Sequence, residues 1–145
     1  MKMLKSKIKK LLIISCKTKR KGVCLMKKIL VIDDDPMNLR MATFLLTKQS
    51  YEVVTAGSGD EGLKILDTTP VDLILLDIEM PGMDGIETFK YIMVEHIEIP
   101  VIFLTASTDT KNVIEALRLG AVDYITKPFV PEDLLGRVSK VIGYE

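Results

Sequence analysis

Cysteine and histidine are scarce in this sequence, and their positions matter more than their number. The two cysteines, Cys16 and Cys24, both lie in the first 25 residues, and the one histidine is His96. No zinc-binding set can be assembled from them, and a cysteine-free body points to a reducing, cytoplasmic setting rather than a disulfide-stapled one. Acid is missing from residues 1–25 altogether, although that stretch holds nine Lys or Arg. The rest of the chain then has 20 − 9 = 11 basic residues against all 20 acids, a balance of −9. A body so acidic argues against direct nucleic-acid binding, which places positive charge on a folded face.

Long apolar runs are absent too. Lys2–Lys10 leads into Leu11–Ile14, but Cys16, Lys17 and the Lys19–Lys21 cluster cut the run short. A secretory signal needs roughly seven to fifteen apolar residues and a membrane span about twenty. No stable membrane insertion is expected. Residues 1–25 are read as a basic N-terminal extension with no folded role, with Met26 as the alternative start. A basic amphipathic patch that touches anionic lipid or RNA is the other use such a segment has.

What is present from Lys27 onward is a regular alternation of strand-like and helix-like pieces, in a 145-residue chain with room for one ordinary domain. Lys28–Ile32 reads as a buried strand, and Asp35-Pro36 as a helix cap followed by proline in the first turn. Met37, Met41, Phe44 and Leu45 share one face of the helix that follows. Glu52–Thr55 is a second strand, and Ser58-Gly59-Asp60-Glu61 has capping-box spacing before a short helix with Leu63 and Leu66. Asp72–Leu76 is almost wholly apolar, so it belongs in the centre of a sheet, covered on both faces. A loop with Pro81, Gly82 and Gly85 precedes a helix carrying Ile86, Phe89 and Met93, with His96 at its end facing solvent. Val101–Leu104 and Val122–Ile125 complete five strands. Val113, Ile114 and Leu117 form a stripe closed by Gly120, and Pro131–Ile142 is the last helix. The pattern predicts an α/β fold: a doubly wound, five-stranded parallel sheet with five helices on its two faces.

In such sheets chemistry collects beyond the carboxyl ends of the strands. Strand one ends in Asp33-Asp34-Asp35, strand three in Asp77 and strand four in Thr105, while strand five runs into Lys127-Pro128. Each has a plain structural use when taken singly, and capping is the use preferred for Asp35. Their convergence on one edge changes the weighting. Asp33, Asp34 and Asp77 in one pocket repel one another, so some protonate or a cation settles among them. Hard oxygen ligands in a half-hydrated cleft suit Mg²⁺. Lysine and threonine opposite supply a point charge and a hydroxyl donor for phosphoryl oxygens, which completes the components for phosphoryl transfer.

These residues resemble the receiver domains of two-component response regulators. Ile29–Asp34 is similar to that family's opening strand and acidic pair, and Leu73–Gly85 to its phosphoacceptor motif. Val101–Ala106 and Gly120–Phe129 resemble its fourth- and fifth-strand motifs, so the match runs from about Lys27 to the C-terminus. The resemblance implies a flavodoxin-like sheet of order 2-1-3-4-5 over a receiver domain at 26–145. It implies a phosphoryl group accepted on Asp77, with Asp34, Asp77 and the Glu79 backbone carbonyl binding Mg²⁺ directly and Asp33 acting through water. Thr105 and Lys127 hold the phosphoryl oxygens, Lys127-Pro128 is cis, and Tyr124 swings inward as Thr105 moves. The donor is a sensor histidine kinase, a histidine phosphotransfer protein or a small acyl phosphate. The output is an unidentified protein target, with a phosphorylation-dependent homodimer as one form of it. The chain is then a self-phosphorylating and self-dephosphorylating switch, not an enzyme with a separate substrate. One departure is that Ser50 stands where the family often has glycine, so the first helix is expected to lack its left-handed end residue.

Other readings fit less well. A phosphatase of the haloacid dehalogenase type needs a second Asp two residues after the nucleophile, where this chain has Glu79. A flavodoxin needs a hydroxyl- and glycine-rich phosphate cradle where this chain has three aspartates. A phosphate-independent interaction module and a receiver cut from a longer regulator remain as alternatives.

Overall fold

The computed structural model describes residues 26–80, 82–106 and 110–143. The expectations for residues 1–25 and for Pro81 lie outside the described residues. Among the described residues, strands and helices alternate: β1 (Lys28–Ile32), α1 (Pro36–Lys48), β2 (Glu52–Ala56), α2 (Gly59–Thr68), β3 (Leu73–Asp77), α3 (Gly85–Glu95), β4 (Val101–Ala106), α4 (Thr110–Leu119), β5 (Asp123–Lys127) and α5 (Pro131–Ile142). The strands form one parallel sheet in the order β2-β1-β3-β4-β5. This is the architecture the alternation predicts. The one-residue shift of β3 and the two-residue extension of β4 come from pairing: Asp77 is in register with Leu104, and Ala106 with Lys127.

Each inner strand feeds two cores, because successive side chains point to opposite faces. Ile29, Val31, Leu73, Leu75, Ile102 and Leu104 pack with α1 and α5 residues such as Leu46, Leu134 and Val138. Leu30, Ile32, Ile74, Leu76, Val101 and Phe103 pack on the other face with Leu66 of α2, Phe89 and Ile92 of α3, and Ala116 of α4. Phe89 meets Phe103 edge to face, with ring centroids 5.1 Å apart. Every residue of β3 is buried, Asp77 included; the apolar run Leu73–Leu76 requires this of the first four.

Two helix faces differ from the sequence reading. In α1 the buried residues are Ala42, Leu45 and Leu46, while Met37, Met41 and Phe44 are exposed. The small Ala42 lets the helix lie against the sheet, which turns the neighbouring large residues outward; Lys48 Nζ covers the Phe44 ring at 4.8 Å. In α4, Val113 and Ala116 meet the core, and Ile114 and Leu117 are exposed. His96 differs as well. It caps the C-terminus of α3, is buried, and has Nε2 3.9 Å from Asp67 of α2.

The helix ends follow their capping residues. Asp35 accepts from the Met37 N–H at 2.9 Å, and Ser58 from the Glu61 N–H at 3.2 Å. Glu61 reaches back to the Gly57 N–H rather than that of Ser58. Gly120, with φ at 120°, closes α4 by the expected pair of bonds, Gly120 N–H to Leu117 and Ala121 N–H to Ala116. The same pair closes α1, from Ser50 to Thr47 and from Tyr51 to Leu46. The expectation that α1 lacks a left-handed residue is therefore wrong: Ser50 itself adopts φ 66°. The hydrogen bonds and the burial of Tyr51 hold it there against the steric cost of a Cβ. Ser50→Gly is expected to raise stability by about 1 kcal/mol, read as a higher urea midpoint at unchanged slope. An unchanged or lower midpoint would contradict this account of Ser50.

At the opposite edge of the sheet from Asp33, Asp77 and Lys127, the last helix is tied down. The Tyr51 hydroxyl donates to the Gly143 carbonyl at 2.7 Å, and Lys27 Nζ donates to the Ile142 carbonyl.

Candidate functional site

The fold brings the predicted strand-end residues to one place. Asp33, directly after β1, and Asp77, the last residue of β3, are buried, whereas Asp34 is exposed. One carboxylate oxygen from each of the three lies within 4.8 Å of the others. Lys127, the last residue of β5, reaches across β4 and places Nζ 3.0 Å from Asp77 Oδ1 and 3.1 Å from Asp33 Oδ2. The Lys127-Pro128 peptide is cis, as expected.

Local backbone fixes both buried carboxylates. The Asp35 N–H donates to Asp33 Oδ1 at 2.9 Å, and the Glu79 N–H donates to Asp77 Oδ1 at 3.2 Å. The loop after β3 is folded back so tightly that the Gly85 N–H donates to the Ile78 carbonyl at 2.9 Å. A Cβ on Gly85 would stand 2.1 Å from the Asp77 carbonyl oxygen and 2.5 Å from Ile78 Cα. Only glycine lets α3 start this close to the strand end.

Electrostatics make the pocket short of positive charge. Burial, and then the nearby Asp33 carboxylate, push the Asp77 carboxyl up from 3.8 to about 7, against the opposing pull of Lys127 and the Glu79 N–H. Burial works to lower Lys127, but its hydrogen bond and attraction to Asp77, with Asp33 adding to them, hold it above its ordinary value. Among the described residues, one ammonium therefore serves two buried carboxylates. The three oxygen donors, their spacing and this unrelieved repulsion fit a hard divalent cation such as Mg²⁺.

Thr105 and Tyr124 are near this centre in the sheet but are not joined to it by the contacts observed. Thr105 is buried one residue beyond Leu104, the register partner of Asp77, and its hydroxyl donates to the Ala106 carbonyl at 3.1 Å. Tyr124 pairs with Phe103 in the sheet and is half-buried, with the Arg137 guanidinium 5.2 Å from its ring centroid. Arg137 also bonds Asp123 at 2.6 Å and Asp133 at 2.8 Å. The sequence reading missed Arg137, although its spacing of four from Asp133 on a helix could have shown the pair. It also missed Asn38, whose side-chain amide donates to Asp33 Oδ2 at 3.2 Å. Among the described residues, no helix is long and apolar enough to cross a membrane.

The family model for the response regulator receiver domain matches residues 29–139. The alkaline phosphatase synthesis transcriptional regulatory protein PhoP of Bacillus subtilis is 39% identical over 116 residues, covering 80% of this chain and 48% of that protein. The DNA-binding response regulator MtrA of Mycolicibacterium smegmatis is 38% identical over 112 residues, covering 77% of this chain and 49% of that one. The chain thus spans about half the length of the curated relatives it matches. Among solved structures, the chemotaxis protein CheY4 of Vibrio cholerae superposes with a TM-score of 0.76 at 33% identity, covering 81% of this chain and 99% of that one. A response regulator receiver domain protein of Clostridium thermocellum gives 0.76 at 34%, covering 81% and 94%.

Proposed function

Because the chain belongs to the response regulator receiver family, we propose that it takes a phosphoryl group onto Asp77 and uses the modified pocket as a switch. The observation that carries the proposal is the triad of carboxylate oxygens within 4.8 Å, bridged on one side by Lys127. Asp34, Asp77 and the Glu79 backbone carbonyl would hold Mg²⁺ directly, with Asp33 acting through water. The metal, when bound, neutralises charge on the transferring phosphoryl oxygens.

The chain's own groups do the rest. An Asp77 carboxylate oxygen attacks phosphorus, and a new O–P bond forms. The bond from phosphorus to the donor's imidazole nitrogen, or to its acyl oxygen, breaks, and the leaving atom keeps the electron pair. Lys127 gives up part of its contact with the carboxylates and meets a phosphoryl oxygen as a point charge. The Thr105 hydroxyl exchanges the Ala106 carbonyl for another phosphoryl oxygen. That exchange draws the end of β4 inward and opens space for Tyr124 to follow. Hydrolysis by water returns Asp77 and inorganic phosphate, so the chain's only reactions are on itself.

The phosphodonor partner is a sensor histidine kinase or a histidine phosphotransfer protein, and the setting is the cytoplasm. A protein target reads the altered surface, with homodimerisation on phosphorylation as one output. A second reading makes this receiver part of a longer regulator, favoured by the half-length coverage of relatives whose names describe transcriptional and DNA-binding regulators.

The test is incubation with acetyl phosphate, with Mg²⁺ or with EDTA, followed by intact-mass measurement. A gain of one phosphoryl group that requires Mg²⁺ is expected. A folded protein that gains nothing in Mg²⁺ would favour a phosphate-independent interaction module.

A further inference from the structure

We infer that Asn38 is a positioning residue for the metal and phosphoryl chemistry, holding the Asp33 carboxylate in place when Lys127 turns toward the phosphoryl group. The inference rests on the receiver reading and adds to it a residue on α1.

The geometry carries it. Asp33 is fully buried, and its ionised form needs donors on both oxygens. Oδ1 has the Asp35 N–H at 2.9 Å. Among the described residues, Oδ2 has two donors: Lys127 Nζ at 3.1 Å and the Asn38 amide at 3.2 Å. Lys127 is also 3.0 Å from Asp77, so its loyalty is divided before any phosphoryl group arrives. Once it is drawn to a phosphoryl oxygen, Oδ2 keeps one side-chain donor, and that donor is Asn38. Without it, either Lys127 stays with Asp33 or a buried carboxylate oxygen loses its side-chain donors, and each outcome disturbs the pocket.

The residue type fits this task and does not fit helix formation. Asn38 is the third residue of α1, where Asp35 already supplies the cap to the Met37 N–H. A second capping side chain has no duty there, and asparagine is a poor residue inside a helix. Its side chain instead turns back toward the end of β1. A neutral amide suits the position because it donates without adding charge. A lysine or arginine would place a fixed cation where a divalent ion must bind, and an aspartate would add to the repulsion that already burdens the site. Outer-shell donors of this kind commonly change metal affinity by 10–100-fold when removed.

The test uses the full chain and two variants, Asn38→Ala and Asn38→Leu, the second of similar size but with no donor. Mg²⁺ affinity is measured by titration calorimetry, and the decay of the phosphorylated protein by intact mass after removal of acetyl phosphate. Urea unfolding in EDTA serves as the structural control. Both variants should bind Mg²⁺ roughly tenfold more weakly and should lose the phosphoryl group at a rate different from native, while the EDTA unfolding midpoint barely moves. Asn38→Gln, which keeps the amide, should recover part of the affinity. Mg²⁺ affinity and decay rate within twofold of native in both variants would overturn the assignment, as would losses matched by an equal fall in stability in EDTA. If the native chain itself neither binds Mg²⁺ nor is labelled, the receiver chemistry fails instead, a result distinguishable from failure at Asn38 alone.

Discussion

Asp77→Asn should gain no phosphoryl group under conditions that label the native chain, and in EDTA it should be the more stable protein above neutral pH. The first effect follows from chemistry: an amide oxygen cannot replace the carboxylate as a nucleophile toward phosphorus. The second follows from the charge in the pocket. The folded protein holds the Asp77 proton more tightly than the unfolded chain does, since the carboxyl is raised from 3.8 to about 7. The stability that accompanies this is present in full below about pH 4 and is lost as pH rises toward 7. The asparagine variant has no such proton to lose. The stability difference should therefore widen between pH 5 and pH 8, reaching about 2 kcal/mol in favour of the variant. Lost contact with Lys127 takes back part of that gain. Adding Mg²⁺ should narrow the gap, because the native site then has a counter-ion. Urea titrations at the two pH values, with and without the metal, measure all of this. A variant that labels as well as native would remove Asp77 from the mechanism. A gap that does not widen with pH would mean that Asp77 is ionised without strain.

The second large effect is expected at Gly85. Its missing side chain is what permits α3 to begin against the end of β3, with a would-be Cβ only 2.1 Å from the Asp77 carbonyl oxygen. The obstacle is backbone, not the flexible tip of a side chain, so it cannot rotate away. Gly85→Ala must push α3 off the strand end, disturbing the packing of Phe89 and Ile92 in the core beneath. Overpacking of this kind costs about 3 kcal/mol or more. The same shift moves the loop bearing the Glu79 N–H, which holds the Asp77 carboxylate at 3.2 Å, so Mg²⁺-dependent labelling should fall in the protein that remains folded. A urea midpoint near that of native would show that the loop has slack that this packing denies.

The element order, the five-stranded sheet and the meeting of Asp33, Asp34, Asp77 and Lys127 were legible in the sequence. Apolar strand runs and short connections leave few topologies, and a parallel sheet puts all its strand ends on one edge. The errors were of a different kind. Met37, Met41 and Phe44 have helical spacing with Leu45, yet the side that packs is set by where Ala42 lets α1 approach the sheet. Nothing local to His96 shows that it is buried, with its ring 3.9 Å from Asp67 of α2. The expectation for Ser50 rests on the glycine that the family often has there, whereas its conformation is imposed by the bonds that Thr47 and Leu46 accept. Asn38, a polar residue early in a helix, needs no explanation until its partner, five positions back at Asp33, is seen. In each case, the missing information was a distance between elements, which periodicity does not contain.

The ties from Tyr51 and Lys27 to the carbonyls at the end of α5 set how that helix can respond. Its tail is fastened to the floor of the molecule, while its head follows Lys127, whose ammonium lies against both Asp33 and Asp77. Any tilt of α5 then works as a lever with its fulcrum at Ile142 and Gly143. The swing is greatest beside the pocket and fades to nothing at the anchored end.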